Sequence, residues 1–343
     1  MRATLSLIAL LLGIVASSAA ERAGAYLNKP ADWFQSDEGK AIIKNIIAWQ
    51  TPEGSWPKNT ATTVPPSGAP RKGTFDNGAT IDELRLLARS LSSTKDSASS
   101  EAFLKGLDLI LRAQYPNGGW PQSYPPGNGY ARHITFNDGS MVRLMNFVRD
   151  VATKTDFAFV DSDRRDRCRS AFERGVQCIV KTQIRVDGVL TAWCAQHDEN
   201  TLEPRSARTY ELISLSGAES AGILDLLMTL EKPSAEVIAS VDAAVAWFDS
   251  VQLKGIRETR VDGDKRIVPD PDAPPLWARF YEIGTNRPIF VGRDGVKKYA
   301  ISEIESERRN GYAWYGRWGQ SLPRKHAAWK KRINQSQQSP APK

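Results

Sequence analysis

The feature that most constrains the fold is a glutamine that returns at a near-constant interval. Gln50, Gln114, Gln183 and Gln252 are separated by 64, 69 and 69 residues. The segments around them resemble one another: AWQTPEGSWP from Ala48, RAQYPNGGWP from Arg112, KTQIRVDGVL from Lys181 and DSVQLKGIRE from Asp249. Self-similarity at a fixed period marks a repeat architecture, in which each unit buries its apolar face against its neighbours. Each glutamine ends a helical pattern. Phe103, Leu107, Ile110 and Leu111 recur at the spacing of one helix face before Gln114, and Val241, Val245 and Phe248 do so before Gln252. A further helix precedes each of the last three, over 79–94, 139–154 and 217–230, and a leading helix covers about 36–50. The unit is therefore a helical hairpin, repeated three times.

Within a hairpin the connections are short, such as Lys95 to Ser97. Between hairpins they are long: 51–78, 115–138, 184–216 and everything after 252. Loops beyond about 12 to 15 residues in a compact domain are usually functional, and an up-and-down arrangement puts these four at one end. The expectation is an all-α fold, an α/α barrel (toroid) of three helical hairpins with long loops and short β-hairpin elements on one face. One such β-hairpin is expected around Tyr281, Ile283, Pro288, Ile289 and Phe290, broken at GTNR. One catalytic domain is expected over 21–335, with a disordered tail over 336–343.

The first twenty residues, MRATLSLIALLLGIVASSAA, have Arg2, an apolar run from Leu5 to Val15 and a small-residue end at Ser18, Ala19 and Ala20. This is the pattern of a secretory signal peptide, cleaved near Ala20. The run is shorter than the roughly 20 apolar residues of a membrane span, so no span is expected. Lys plus Arg outnumber Asp plus Glu by 46 to 39. Nucleic acid is the usual partner of a basic protein, but export makes an acidic polysaccharide at least as good an expectation. Three cysteines, Cys168, Cys178 and Cys194, are too few for a disulfide scaffold. Cys168 and Cys178, ten residues apart on one predicted helix, are about 15 Å apart along its axis, too far to bridge. A bridge involving Cys194 and three buried free thiols are both open readings. Three histidines argue against a His-rich metal site, so any metal should have oxygen ligands.

The candidate chemistry lies in the long loops. TFDNGAT from Thr74 and TFNDGSM from Thr135 both run directly into a predicted helix. Helix capping is one reading. The other brings Asp76 and Asp138 together, where two carboxylates and two amides would suit calcium. Trp56 and Trp120, in GSWPKN and GGWPQSYP, either stack on sugars or pack the loops onto helix ends. The third long loop carries His197, Asp198, Glu199 and Glu203 beside Arg205 and Arg208, either a solvated charged loop or a carboxylate pair for glycoside hydrolysis. Arg279, Arg293, Lys297 and Lys298 extend the basic theme, and arginines beside carboxylates are what an enzyme acting on uronate sugars needs.

Taken together, WQTPEGSWPKN, TFDNGAT, NGGWPQSYP, HITFNDGSMVRLM, TAWCAQHDENTLEPRSARTYELISLSGAES, LWARFYEIGTNRPIFVGRDG and NGYAWYG resemble the pectate lyases of polysaccharide lyase family 10. The resemblance covers essentially the whole chain after the signal segment. It implies an α/α barrel that cleaves polygalacturonate by calcium-assisted β-elimination, here as a secreted monomer. It implies that Asp76 and Asp138 serve calcium and substrate, with Asn77 beside Asp76 in contact with substrate. It further implies that Arg208 is the catalytic base and that Arg279 and Arg293 hold substrate carboxylate. Arg205, three residues before Arg208, is the alternative base. The base must be neutral, whereas arginine normally titrates above about 12. Nearby cations would disfavour its charged form, so an alkaline optimum is expected. Two other readings compete: a secreted glycoside hydrolase on a similar barrel, and a non-catalytic module that binds acidic polysaccharide. The terpene cyclases share the Q-x-x-x-G-x-W pattern, but their apolar cavity does not suit loops this charged.

Overall fold

The computed structural model describes residues 21–338. The expected signal peptide and the residues after Gln338 lie outside them. The helices are α1 (Asp37–Trp49), α2 (Ile81–Thr94), α3 (Ser97–Ala113), α4 (Ser140–Thr153) and α5 (Ser162–Thr182), then α6 (Gly217–Leu227), α7 (Ala235–Ser250), α8 (Ser306–Gly311) and α9 (Leu322–Gln338). The pairs α2/α3, α4/α5 and α6/α7 are the three hairpins, and they stack in chain order. Helices α2, α4 and α6 form one layer, and α1, α3, α5 and α7 form the other. Helix α9 packs on α6 and α7. It runs past residue 335, so the first residues of the expected tail are helical. No helix among the described residues is long and apolar enough to cross a membrane.

Three of the four repeated glutamines staple the second layer, while among the described residues the Gln252 amide bonds only to Asp249 at the end of its own helix. The Gln50 side-chain amide donates to Gly54 O at 3.0 Å, within its own loop, and to Ala102 O of α3 at 2.8 Å. Gln114 repeats the pattern with Gly118 O and Ala171 O of α5, and Gln183 with Thr191 O and Ser240 O of α7. Each amide thus satisfies a loop carbonyl and locks one helix to the next. The glycine of Q-x-x-x-G is required twice over. Gly54 and Gly118 have φ of +113° and +94°, and a Cβ there would lie 2.8 Å from Lys105 O and 2.0 Å from Arg174 O. The tryptophans pack. Trp56 and Trp120 are fully buried, and their indole N–H groups donate to Ile46 O and Ile110 O at the ends of α1 and α3. Those carbonyls have no intrahelical partner. Trp193 does the same for Ile179 O and Trp277 for Phe248 O, so neither Trp56 nor Trp120 offers a face to sugar.

The expectation of an all-α fold does not hold. Six small antiparallel sheets accompany the helices among the described residues. Ile134–Thr135, Gln196–His197 and Pro204–Arg205 form a three-stranded one, and Ile256–Val261 pairs with Asp264–Pro269 as a hairpin. Leu215–Ser216 pairs with Phe280–Tyr281, Trp277–Ala278 with Tyr315–Gly316, Phe290–Val291 with Lys297–Lys298, and Arg185–Val186 with Val189–Leu190. The cause is the burial of the long loops, whose backbone N–H and C=O groups must find partners. Five of the six sheets consist of two-residue strands, too short for an alternating pattern to register. The 256–269 hairpin did carry a local signal. Its turn is Asp262–Gly263, both at positive φ, the D-G pair that favours a tight hairpin.

Two apolar cores result. The larger fills the space between the helix layers. The smaller, built from Ala195, Phe280, Ile289, Phe290, Ile301, Ile304 and Trp314, lies under the loop face and fixes the segment after α7. All three cysteines are buried free thiols, so the bridge through Cys194 is not formed.

Candidate active site

The two T-F-[DN]-[DN]-G turns fold alike and pack against each other. Asn77 and Asp138 occupy the left-handed region with φ of 54° and 50°, followed by Gly78 and Gly139 at positive φ. Asn and Asp tolerate that conformation better than other residues. Neither aspartate is a helix cap. Helix α2 begins after Thr80, whose N–H donates to Glu83 at 2.8 Å, and α4 begins after Gly139. Asp76 is buried; its Oδ2 is paired with Lys58 and its Oδ1 has no partner among the described residues. Asn77 is exposed on the same turn.

A third helix entry joins them. Glu219, in the first turn of α6, accepts from Ser216 Oγ and from the Asp138 N–H. Arg279 lies between these acids, and its Nη2 donates to Asp138 Oδ1 at 2.8 Å and Glu219 Oε1 at 2.6 Å. Its side chain is 8 % exposed and that of Glu219 2 %. Burial alone would lower the Arg279 pKa, but the carboxylates of Glu219 and Asp138 reverse this and raise it. Its Nε is buried without a partner among the described residues. The entries to α2, α4 and α6 pack together here, and they carry two buried atoms of opposite character, Asp76 Oδ1 and, beside Asp138 and Glu219, Arg279 Nε, that have no partner among the described residues. Such groups call for a ligand, an ion or water.

Arg279 connects to Arg208 through Tyr312. The Arg279 guanidinium lies 4.7 Å from the centre of the Tyr312 ring, and the Tyr312 hydroxyl donates to Glu211 Oε1 at 2.9 Å. Glu211 is gripped by Arg208 through Nε at 2.8 Å and through Nη2. Three guanidinium groups, of Arg208, Arg293 and Arg308, surround the Tyr210 ring at 4.8, 5.2 and 4.6 Å. Arg293, the most exposed of the set, also pairs with Glu307, which Arg308 shares. The predicted site residues thus fall on one face, joined by residues that the sequence reading did not single out.

The family model for pectic acid lyase matches residues 50–322. The chain belongs to the pectic acid lyase family. It is 36 % identical to a family 10 polysaccharide lyase from Cellvibrio cellulosa, covering 92 % of this chain and 95 % of that one, with a TM-score of 0.76. An aspartate-to-alanine mutant of a family 10 polysaccharide lyase from the same organism, in complex with trigalaturonic acid, gives 36 % identity, 92 % and 96 % coverage and a TM-score of 0.75. No curated protein matches.

This pectate lyase holds the charged residues of its third loop differently from a hydrolase. His133, Asp198 and Glu199 are, among the described residues, the one set of three His, Cys, Asp or Glu groups with ligand atoms within 4.8 Å of one another. They are already paired. Glu199 binds Arg132 and His133, and Asp198 binds Arg205 and the N–H groups of Asn200 and Thr201. The Asn200 and Thr201 N–H groups, with Arg205, hold Asp198 well below the usual carboxylate range. Glu199 is also lowered, its burial outweighed by His133 and Arg132. A hydrolase needs one carboxylic acid with a raised pKa, and neither residue supplies it. The same geometry separates the two arginines: Arg205 is committed to Asp198, and Arg208 faces Tyr210 and Glu211.

His197 is structural. It is fully buried, with Nδ1 against Leu202 O at 2.9 Å and Nε2 accepting from the Cys194 N–H at 3.2 Å, and burial lowers its pKa to about 4. Between that value and an unfolded value near 6.5 the unfolded chain binds the extra proton, so stability falls as pH falls through this window. The expected loss is on the order of 3 kcal/mol. Urea unfolding across this range would check it, the loss being absent from His197→Asn.

Glu211, Glu219, Tyr312 and Arg308 were missed as individuals. Three of them lie inside the motifs ARTYE, SGAES and NGYAWYG; Glu211 meets Arg208 within one local turn, whereas Glu219 meets Arg279 and Tyr312 meets Glu211 only through tertiary contacts.

Proposed function

We propose that this enzyme cleaves polygalacturonate by anti β-elimination, assisted by calcium, as a secreted monomer with Arg208 as the base that removes the C5 proton. The substrate class is supported by the trigalaturonic acid bound to the Cellvibrio cellulosa relative. The observation that carries the reading is the continuous set Asp138, Arg279, Tyr312, Glu211 and Arg208. It places buried and half-exposed guanidinium groups on one face with carboxylates at the helix entries. Arginines there grip uronate carboxylates bidentately and set the sugar against the base.

Asp76 and Asp138 would hold calcium, because their donors are hard oxygens and Asp76 Oδ1 is buried with no partner among the described residues. Lys58 now holds the other Asp76 oxygen, and Arg279 and the Asn137 amide hold the two of Asp138, so these groups must share or yield the acids. Calcium, when bound, neutralises uronate carboxylate charge and makes the neighbouring C5 proton more acidic. Asn77, exposed on the same turn, is positioned to meet substrate, and Arg279 and Arg293 to take its carboxylates. The N-terminal apolar segment and its small-residue end support secretion.

In this structure Glu211 keeps Arg208 firmly protonated, its hydrogen bonds raising the arginine pKa. Crowding by cations is therefore not the dominant influence on Arg208 before substrate arrives, and the demand for alkaline pH becomes stronger. The test is ultraviolet absorbance during incubation with polygalacturonate at alkaline pH, with calcium or with chelator. Absorbance from unsaturated ends should rise with calcium and stop with chelator. New reducing ends without absorbance would overturn the lyase reading.

A further inference from the structure

We propose that Glu211 is a positioning residue that selects which nitrogen of Arg208 acts as the base; this rests on the reading of Arg208 as the base. The pair is built with unusual completeness. The Arg208 Nε–H donates to Glu211 Oε2 at 2.8 Å, Nη2 donates to Oε1, and the Arg208 backbone N–H reaches Oε2 at 3.2 Å. The turn itself is closed by the Glu211 N–H to Arg208 O at 2.7 Å and by the Ala207 N–H to Glu211 O at 3.0 Å. The Glu211 side chain is 3 % exposed, while that of Arg208 is 40 % exposed. Nη1 has no hydrogen-bond partner among the described residues.

A neutral guanidine has one nitrogen with a basic lone pair, and that nitrogen has given up a proton. An N–H that donates to a buried carboxylate is the hardest to give up, because its loss leaves the carboxylate facing a lone pair without a donor. Nε and Nη2 are held as donors by Glu211, so the lone pair falls on Nη1, the nitrogen left open. The aspartate of a Ser-His-Asp triad fixes the tautomer of its histidine by the same logic. In the reaction the C5–H bond breaks and its proton forms an N–H bond to Nη1. The C–H electron pair becomes the C4=C5 double bond, the C4–O bond breaks, and the departing glycosidic oxygen takes a proton from water.

Glu211 has an opposing effect, since its charge favours the guanidinium. Tyr312 moderates this through its hydrogen bond to Oε1. The other groups facing Arg208 are the Tyr210 ring, with Arg308 and Arg293 against the same ring. These contacts make the pH dependence of the two variants diagnostic.

The experiment measures kcat and KM on polygalacturonate with calcium across the alkaline range for wild type, Glu211→Gln, Tyr312→Phe and Arg208→Ala, with circular dichroism to check folding. Glu211→Gln should lower kcat by about 10²-fold with KM within about twofold of wild type. Its rising alkaline limb should move to lower pH, because the guanidinium loses its anionic partner. Tyr312→Phe should move the limb the other way, because Glu211 keeps more of its charge. Glu211→Gln with wild-type kcat, or both limbs moving together, would overturn the proposal. Failure of the underlying reading looks different: Arg208→Ala would then keep its activity, whatever Glu211→Gln does. If Glu211→Gln fails to fold, the direction of the Tyr312→Phe limb decides.

Discussion

Arg208→Ala is expected to lower kcat by about 10²- to 10⁴-fold, the range that a positioned general base contributes. Calcium-dependent binding of polygalacturonate should survive, because Arg279, Arg293 and the helix-entry acids remain. Arg208→Ala also strands Glu211, which is buried and charged, so some stability is lost with the activity. Arg208→Lys separates the two effects. Lysine can still pair with Glu211 but lacks the planar fork, so folding should recover while kcat stays low. Steady-state kinetics beside thermal unfolding of both variants check this; near-wild-type kcat in either would remove Arg208 from the chemistry.

Arg279→Met should cost about 3–5 kcal/mol of stability, because it leaves the Glu219 carboxylate buried without its cation. The double variant Arg279→Met with Glu219→Gln removes the stranded charge and should regain most of that stability. It should not regain activity if Arg279 also grips substrate. Urea unfolding and lyase assays on the single and double variants make a cycle in which structure and binding are read independently. Recovery of both together would assign Arg279 a purely structural role.

The helical part of the fold was largely legible. The expected helices 79–94, 139–154 and 217–230 are found at Ile81–Thr94, Ser140–Thr153 and Gly217–Leu227, and the leading helix at Asp37–Trp49. These segments announce themselves because a helix closes its hydrogen bonds within four residues and shows its buried face as a local period. The all-α class failed at the loops, where Leu215–Ser216 finds Phe280–Tyr281 and Trp277–Ala278 finds Tyr315–Gly316. Two-residue strands paired over such separations leave no period to read.

The site divides along the same line. Asp76, Asn77 and Asp138 stood out because they sit in a repeated turn, and Arg208, Arg279 and Arg293 because their motifs resemble a known family. By itself the chain determined the hairpin repeat, the glutamine and tryptophan positions that staple it, and which loops carry charge. The tertiary structure decided the long-range partners: Glu219 and Asp138 for Arg279, and Tyr312 between Arg279 and the local Arg208–Glu211 pair. The physical reason is range. Backbone hydrogen bonding and apolar spacing act over a few residues and are written locally. A buried charge is matched by whichever opposite charge the packed chain brings within about 3 Å, and sequence distance does not enter.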